Sequence, residues 1–177
     1  MNLTEESDDI SDMELYEPEY IKNIEVLRHL SIFKNISFEI IKLFAYTAKR
    51  GCFPEGRFIF RHGEKAHSAY LILSGKVRLF AKQEDQQIGL QDFSEKDFFG
   101  YMALLADFQW GFDIQAVTNV DILFLEREHF RRIFKRFPEE CLLIVERLVQ
   151  MRMKRMEEHM GILLAAQKTH KEKSRDT

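Results

Sequence analysis

A twenty-residue stretch, FFGYMALLADFQWGFDIQAV (residues 98–117), has the backbone signature of an anion-binding turn without the charge that usually accompanies one. Gly100 followed by a short apolar run is typical of a turn that leads into a helix, whose first amide groups can bind an anion. The stretch contains two aspartates, Asp107 and Asp113, and Trp110, but no lysine, arginine or histidine. Aromatic side chains here would either fill the space or stack on a planar ligand.

The other residue types that could do chemistry do not form a recognisable constellation. His62 and His67 flank the turn HGEKAH, but five residues of separation without a neighbouring cysteine fit no common zinc site. Cys52 and Cys141 are far apart, as expected for buried thiols in a reducing compartment. The sequence has no nucleophile elbow, P-loop or recognisable carboxylate pair. We therefore predict no metal site, no cofactor and no enzymatic activity.

Composition predicts one domain with extensions. The chain has 177 residues, of which 45% are hydrophobic and sixteen are phenylalanine, so it can form a core. It has no secretory signal and no apolar run of membrane-spanning length, which indicates a cytoplasmic protein. Residues 1–20 hold eight acids and no base, which leaves 21 acidic and 26 basic residues, a net charge of +5, in the rest. We predict that residues 1–20 are a disordered acidic arm, with masking of a basic surface as the alternative.

The pattern of apolar residues and glycines predicts helices, then strands, then helices again. One helix follows Pro18, and a second is capped by Ser37 and stopped by Gly51. Short alternating segments separated by glycine turns then indicate an antiparallel sheet protein, an all-β sandwich or barrel. A helix precedes Pro138, and one long helix begins there. The predicted units are a β-roll domain with flanking helices at 21–138, a C-terminal helix at 139–167 and a polar tail at 168–177.

The ordered series of glycine and apolar positions resembles the cyclic nucleotide-binding domain of catabolite-activator-type regulators and kinase regulatory subunits. The resemblance covers roughly residues 24–160 and implies a mainly β fold, an antiparallel jelly-roll barrel with N-terminal helices and a long C-terminal helix. The residues that carry it are Leu27, Phe33, Leu43, Gly56, Ile59, Gly63, Tyr70, Ile72, Gly75, Val77, the segment DFFG at 97–100 and the segment ALL at 103–105.

The same resemblance implies that the opening stretch is a phosphate-binding cassette in which both ligand-specifying side chains are replaced. Gly100 and the run Met102, Ala103 and Leu104 keep the turn and short helix. Tyr101 stands where the family has a glutamate for the ribose hydroxyl, and Trp110 or Gly111 stands where it has an arginine for the phosphate. We expect Tyr101 and Trp110 to fill the pocket.

Two alternatives for the pocket stay open. A cyclic nucleotide could be bound with an arginine supplied by another strand, from Arg57, Arg61 or Arg78, or the pocket could bind a different small molecule. Arg78 alternates with apolar neighbours along its strand, which favours a side chain that faces outward.

The long C-terminal helix predicts a homodimer. Its apolar stripe comprises Leu142, Val145, Val149, Met156 and Leu163, and its second half has no other part of the chain to cover it. About ten polar residues follow Gln167, too few for the helix-turn-helix domain of the regulators that the chain resembles. We predict a regulatory module that acts through dimerisation and a protein partner. A small-molecule sensor, or a relative of transcription regulators that lacks a DNA-binding domain, are the alternatives.

Overall fold

The structure, a computed structural model, describes residues 18–83 and 86–173. Most of the predicted acidic arm, residues 1–17, lies outside the described residues, and helix α1 already begins at Glu19. The helices are α1 (Glu19–Arg28), α2 (Phe38–Thr47), α3 (Arg127–Arg136) and α4 (Pro138–Lys173), and two short 3₁₀ helices lie at Ser31–Phe33 and Tyr101–Leu104.

Within the described residues, eight strands form two four-stranded antiparallel sheets that face each other. The strands are β1 (Lys49–Phe53), β2 (Phe58–Phe60), β3 (Ser68–Ser74), β4 (Lys76–Gln83), β5 (Gln86–Ser94), β6 (Phe98–Phe99), β7 (Asp113–Ala116) and β8 (Val120–Glu126). One sheet has the order β1-β8-β3-β6 and the other β2-β7-β4-β5. The predicted antiparallel jelly roll with flanking helices is confirmed, with the correction that the two sheets do not close into a barrel.

Two element boundaries differ from the sequence prediction. Helix α2 ends at Thr47 rather than at Gly51, and Gly51 lies inside β1, which the sequence analysis had missed. A Cβ at Gly51 would lie 2.9 Å from the ring of Phe124 on the paired strand β8, so the glycine allows close packing between strands. At the other end, α4 continues to Lys173, six residues beyond its predicted end.

The first sheet separates two hydrophobic cores. The core between the sheets is rich in aromatic side chains, among them Phe60, Tyr70 and Trp110. The second core lies between the outer face of the first sheet and the helices, and it includes Phe44 and Leu123. Because successive residues of a strand face opposite sides, Tyr70 and Ile72 of β3 enter the first core and Leu71 enters the second.

Helix α4 has an inner face that contacts the rest of the structure and a separate exposed apolar face. The inner face repeats at alternating spacings of three and four residues and lies against the helical core and β6; it comprises residues 141, 144, 148, 151 and 155. Arg147 Nη1 donates to the carbonyl oxygen of Ile32 at 2.9 Å, and Arg155 Nη2 donates to that of Phe98 at 3.0 Å. At 36 residues the helix is about 54 Å long and extends well past these contacts. In the part of the chain that the structure describes, no helix is both long and apolar enough to span a membrane.

Candidate functional site

The turn between β6 and the second 3₁₀ helix depends on Gly100. This residue has φ +69°, a left-handed backbone conformation that residues with a Cβ adopt only under strain. A Cβ at this position would lie 3.0 Å from Cδ2 of Tyr70 and 3.1 Å from Cη2 of Trp110. Backbone conformation and packing therefore both favour glycine, and the indole ring lies against the turn.

Trp110 is the centre of an aromatic cluster that occupies the space between the turn and the sheets. Its ring stacks on Phe60 with centroids 4.0 Å apart and an interplanar angle of 11°, and Phe108 packs edge-on at 5.2 Å. Tyr70 and Phe112 approach at 6.4 and 5.9 Å. Trp110 is only 3% exposed, so the cluster, which we call the aromatic plug (Phe60, Tyr70, Phe108, Trp110 and Phe112), leaves little of the indole for a ligand.

Tyr101 does not take part in the aromatic plug, contrary to the expectation that it would fill the pocket. Its side chain packs in the helical core, where its ring centroid lies 5.8 Å from that of Phe98. The Arg155 guanidinium of α4 lies 5.5 Å from the centroid of the Tyr101 ring. Burial raises the pKa of Tyr101. Tyr101 is the first residue of the short 3₁₀ helix, and its side chain points towards α4 rather than into the space between the sheets.

The other predicted cassette residues divide between the same two environments. Ala103 is fully buried in the core between the sheets, whereas Leu104 is buried in the helical core and Met102 packs at its edge. Gly111 is exposed, and a Cβ there would meet nothing within 4 Å. The alternative positions for the family's arginine are thus a buried ring at 110 and an open surface site at 111.

Each arginine considered as a substitute for the missing base lies elsewhere. The Arg61 guanidinium lies 4.2 Å from the ring centroid of Phe58, and Arg57 is exposed. Arg78 faces outward, as its position in the strand predicted, and its Nη2 donates to Asp92 Oδ2 at 2.7 Å. Arg57 and Arg61 line a groove of about 250 Å³ that follows β2 on the surface. Among the described residues, none of these three bases has a recorded contact with the cassette turn.

Arg127 was missed by the sequence analysis, and it binds the end of the cassette through backbone carbonyls. Its guanidinium donates to the carbonyl oxygen of Ala106 at 2.6 Å, to that of Ala66 at 2.8 Å and to Asp107 Oδ1 at 3.2 Å. The side chain is 13% exposed. The available signal was its place as the first basic residue after Lys96. The guanidinium of Arg127 thus connects the loop that contains Ala66 with the loop that contains Ala106.

A second set of hydrogen bonds closes the turn at 62–66 over the plug. Trp110 N donates to the carbonyl of Glu64 at 2.9 Å, and Gly63 N donates to the carbonyl of Trp110 at 2.8 Å. The carboxylate of Asp113, 3% exposed, accepts from His62 N at 2.7 Å and from Gln87 Nε2 at 3.1 Å. The aspartates of the opening stretch therefore accept protein hydrogen bonds. No group of three or more metal-ligating side chains occurs within the described ranges.

The predicted dimer residues fall mostly on the second, uncovered face of α4. Val145 is the exception, because it is partly buried against the helical core. The exposed apolar residues on this face repeat with spacings of seven, four, three, four and three, and we call them the α4 seam: Leu142, Val149, Met153, Met156, Met160 and Leu163. Met153 and Met160 were absent from the predicted set, although the heptad pattern identifies them.

Comparison with known proteins agrees with this architecture. Residues 51–137 match the family model of the cyclic nucleotide-binding domain. The cyclic AMP receptor protein of Thermus thermophilus is 31% identical over 108 residues, which cover 60% of this chain and 50% of that protein. A cyclic nucleotide-binding-like protein from Brucella abortus shares 27% identity and a TM-score of 0.58 over 64% of this chain and 98% of that chain. The catabolite activator protein structure from Thermus thermophilus shares 27% identity and a TM-score of 0.62 over 75% of this chain and 62% of that chain.

The two facing sheets with flanking helices and a long C-terminal helix agree with the fold of these proteins. Residues 51–137 form a domain of the cyclic nucleotide-binding family. The chain spans about half the length of the curated relative that it matches.

Gly100→Ala tests whether the turn and the plug are as tightly packed as the distances indicate. We expect it to lower the free energy of unfolding by about 1–3 kcal/mol, because it combines backbone strain with contacts near 3 Å. Gly111→Ala is the matched control, since nothing lies within 4 Å of its Cβ position. Urea unfolding of the two variants measures the difference, and equal stabilities would contradict the described packing.

Alkaline pH provides an independent test of the plug. Burial raises the pKa of Tyr70 to about 12 from an ordinary value of 10.0. The folded state therefore favours the protonated phenol, and the stability it contributes is complete below pH 10 and declines as the pH rises towards 12. We expect Tyr70→Phe to unfold with a weaker pH dependence over this interval than wild type in urea titrations. Tyr46→Phe, at a 78% exposed position, should behave like wild type.

Proposed function

We propose that this chain is a non-enzymatic regulatory module that forms a parallel homodimer and does not bind cyclic nucleotides in the way that its family does. The observation that carries the proposal is the position of Trp110. The indole stacks on Phe60 and reaches the Gly100 turn, where the family's cassette receives the cyclic phosphate. The module then acts through protein contacts, and the plug holds the cassette in one conformation.

The energetics of phosphate binding support this proposal. A charge-assisted hydrogen bond contributes about 1.5–3 kcal/mol, and each 1.4 kcal/mol is a factor of about ten in affinity. Loss of the arginine and of the glutamate together is therefore expected to weaken binding by about a thousandfold. The four residues of the short helix offer little compensation, because Ala103 N already donates to the carbonyl of Gly100 at 2.9 Å.

The α4 seam supports a parallel homodimer. Its spacing places Leu142, Val149, Met156 and Leu163 at d positions and Met153 and Met160 at a positions of a heptad repeat. Arg152 then occupies a g position and Glu157 the e position five residues later, so each pairs with its opposite charge across a parallel, in-register interface. The seam lies on a different side of α4 from the contacts with the roll, about 130° away at 100° per residue, so both faces can be covered at once.

Calorimetry tests the nucleotide part of the proposal. We expect no saturable binding of cyclic AMP or cyclic GMP at ligand concentrations up to about 100 μM, where a binding free energy near −5.5 kcal/mol would still register. Trp110→Arg should give measurable binding of cyclic AMP and Trp110→Ala less, because both open the pocket and only the first supplies a charge. Both variants should be less stable than wild type. Micromolar binding by the wild-type protein would contradict the proposal and favour the sensor alternative.

Sedimentation tests the dimer. We expect Met156→Lys with Leu163→Lys to convert a dimer into a folded monomer at tens of micromolar, since the changes place charges in the seam and leave the roll untouched. Ile162→Lys is the matched control, because Ile162 is 66% exposed but lies outside the seam. Met160→Cys in a Cys52→Ser background should form an interchain disulfide only if the helices are parallel and in register. A monomeric wild-type protein would contradict the dimer.

A further inference from the structure

Helix α3 presents a dense basic face. Phe130 and Ile133 bury one side of the helix. The exposed side carries four basic residues within six positions, which we call the α3 basic face: Arg131, Arg132, Lys135 and Arg136. We propose that the acidic N-terminal segment of this same chain, residues 1–17, docks on the α3 basic face. The proposal goes beyond the regulatory function above and does not depend on the dimer.

The described residues neutralise only part of this face. Arg132 pairs with Glu128 one turn earlier, and Arg136 Nη2 lies 3.9 Å from Glu39 Oε1 on α2. Within residues 18–83 and 86–173, no ion pair is recorded for Arg131 or Lys135, which lie one helical turn apart. The face therefore keeps a local excess of positive charge.

The N-terminal segment has matching charge. It holds no basic residue and seven acids, which are Glu5, Glu6, Asp8, Asp9, Asp12, Glu14 and Glu17. A polyanionic segment of this kind can contact a cluster of arginine and lysine side chains through several interchangeable ion pairs. Each exposed pair is individually weak and sensitive to salt, so the contact is electrostatic rather than a packed interface.

The segment enters the described structure close to α3. Helix α1 begins at Glu19, whose Oε1 lies 3.7 Å from Arg50 Nε on β1. β1 pairs with β8 along its whole length, and α3 begins immediately after β8 at Arg127. Adjacent strands are about 4.8 Å apart, and the ten residues of α3 span about 15 Å. Seventeen extended residues reach up to about 57 Å, which is more than the path requires.

Docking at this place would cover the surface next to the cassette. Arg127, at the start of α3, holds the carbonyls of Ala106 and Ala66, so α3 is continuous with the end of the cassette loop. An acidic partner that competes for the α3 basic face would have to displace the segment first. The segment thus acts as an internal competitor for acidic partners.

Amide chemical shifts of the full-length, ¹⁵N-labelled protein test the proposal. The comparison is with a full-length variant in which Glu5, Glu6, Asp8, Asp9 and Asp12 are changed to the corresponding amides. At about 50 mM salt we expect the shift differences to concentrate at residues 131–136, and to disappear at about 1 M salt, where the screening length is near 3 Å. Unchanged α3 amides at low salt, or differences confined to another surface, would overturn the proposal.

A pair of matched double variants identifies the surface. In Arg131→Gln with Lys135→Gln, neutralising the segment should no longer shift the remaining α3 amides. In Lys76→Gln with Lys82→Gln, which removes the same charge from exposed positions on β4, the effect should persist. If the β4 variant abolishes the effect and the α3 variant preserves it, the segment docks elsewhere and the proposal is wrong. Sedimentation of the same samples reports the oligomeric state separately, so failure of the dimer would not be mistaken for failure of the docking.

Discussion

The stack of Trp110 on Phe60 is the interaction on which the pocket depends. An indole that is 97% removed from solvent contributes a large apolar area to the core between the sheets, and offset ring contacts add to that burial. The stack also restricts its neighbours. The turn at residue 100 favours glycine, because its φ is left-handed and a Cβ would lie only 3.0–3.1 Å from the rings of Tyr70 and Trp110. The turn at 62–66 is held in place by backbone hydrogen bonds on both sides of Trp110.

Charge in this region supports the plug rather than a ligand. Arg127 is the first basic residue that follows the cassette in the sequence. Its guanidinium donates hydrogen bonds to the carbonyl oxygens of Ala106 and Ala66 and to the carboxylate of Asp107. The buried carboxylate of Asp113 accepts from a backbone amide of the facing turn. In a low-dielectric interior such groups are costly unless their hydrogen bonds are made, and here they are made within the protein. The loops around the plug are therefore well satisfied without a bound anion.

Sequence reasoning predicted the fold better than it predicted the site, for physical reasons that particular residues show. Strand and helix periods, together with glycines at turns such as Gly63 and Gly75, are local signals, and they specified the order of elements. β1 was missed because KRGCF has little apolar alternation; its pairing with β8 is a long-range interaction. The direction of Tyr101 could not be read from sequence, because a single residue of rotation in a 3₁₀ helix decides which core it enters. Arg127 was overlooked because its two shortest hydrogen bonds are to backbone carbonyls, which carry no sequence signature.

Helix α4 connects the cassette turn with the α4 seam. Its inner face is tied to the cassette, because the guanidinium of Arg155 binds the carbonyl of Phe98, two residues before Gly100, and lies near the rings of Phe93 and Tyr101. Its outer face is the seam, and Met156 follows Arg155 directly. Since Arg155 and Met156 are consecutive residues of one helix, the cassette turn and the seam are connected through α4. In the proposed homodimer, a plug that holds the turn would therefore also hold α4 in one orientation. Under the proposed function, that connection would give the plug a role beyond filling space, since it would stabilise one arrangement of the helix through which the homodimer forms.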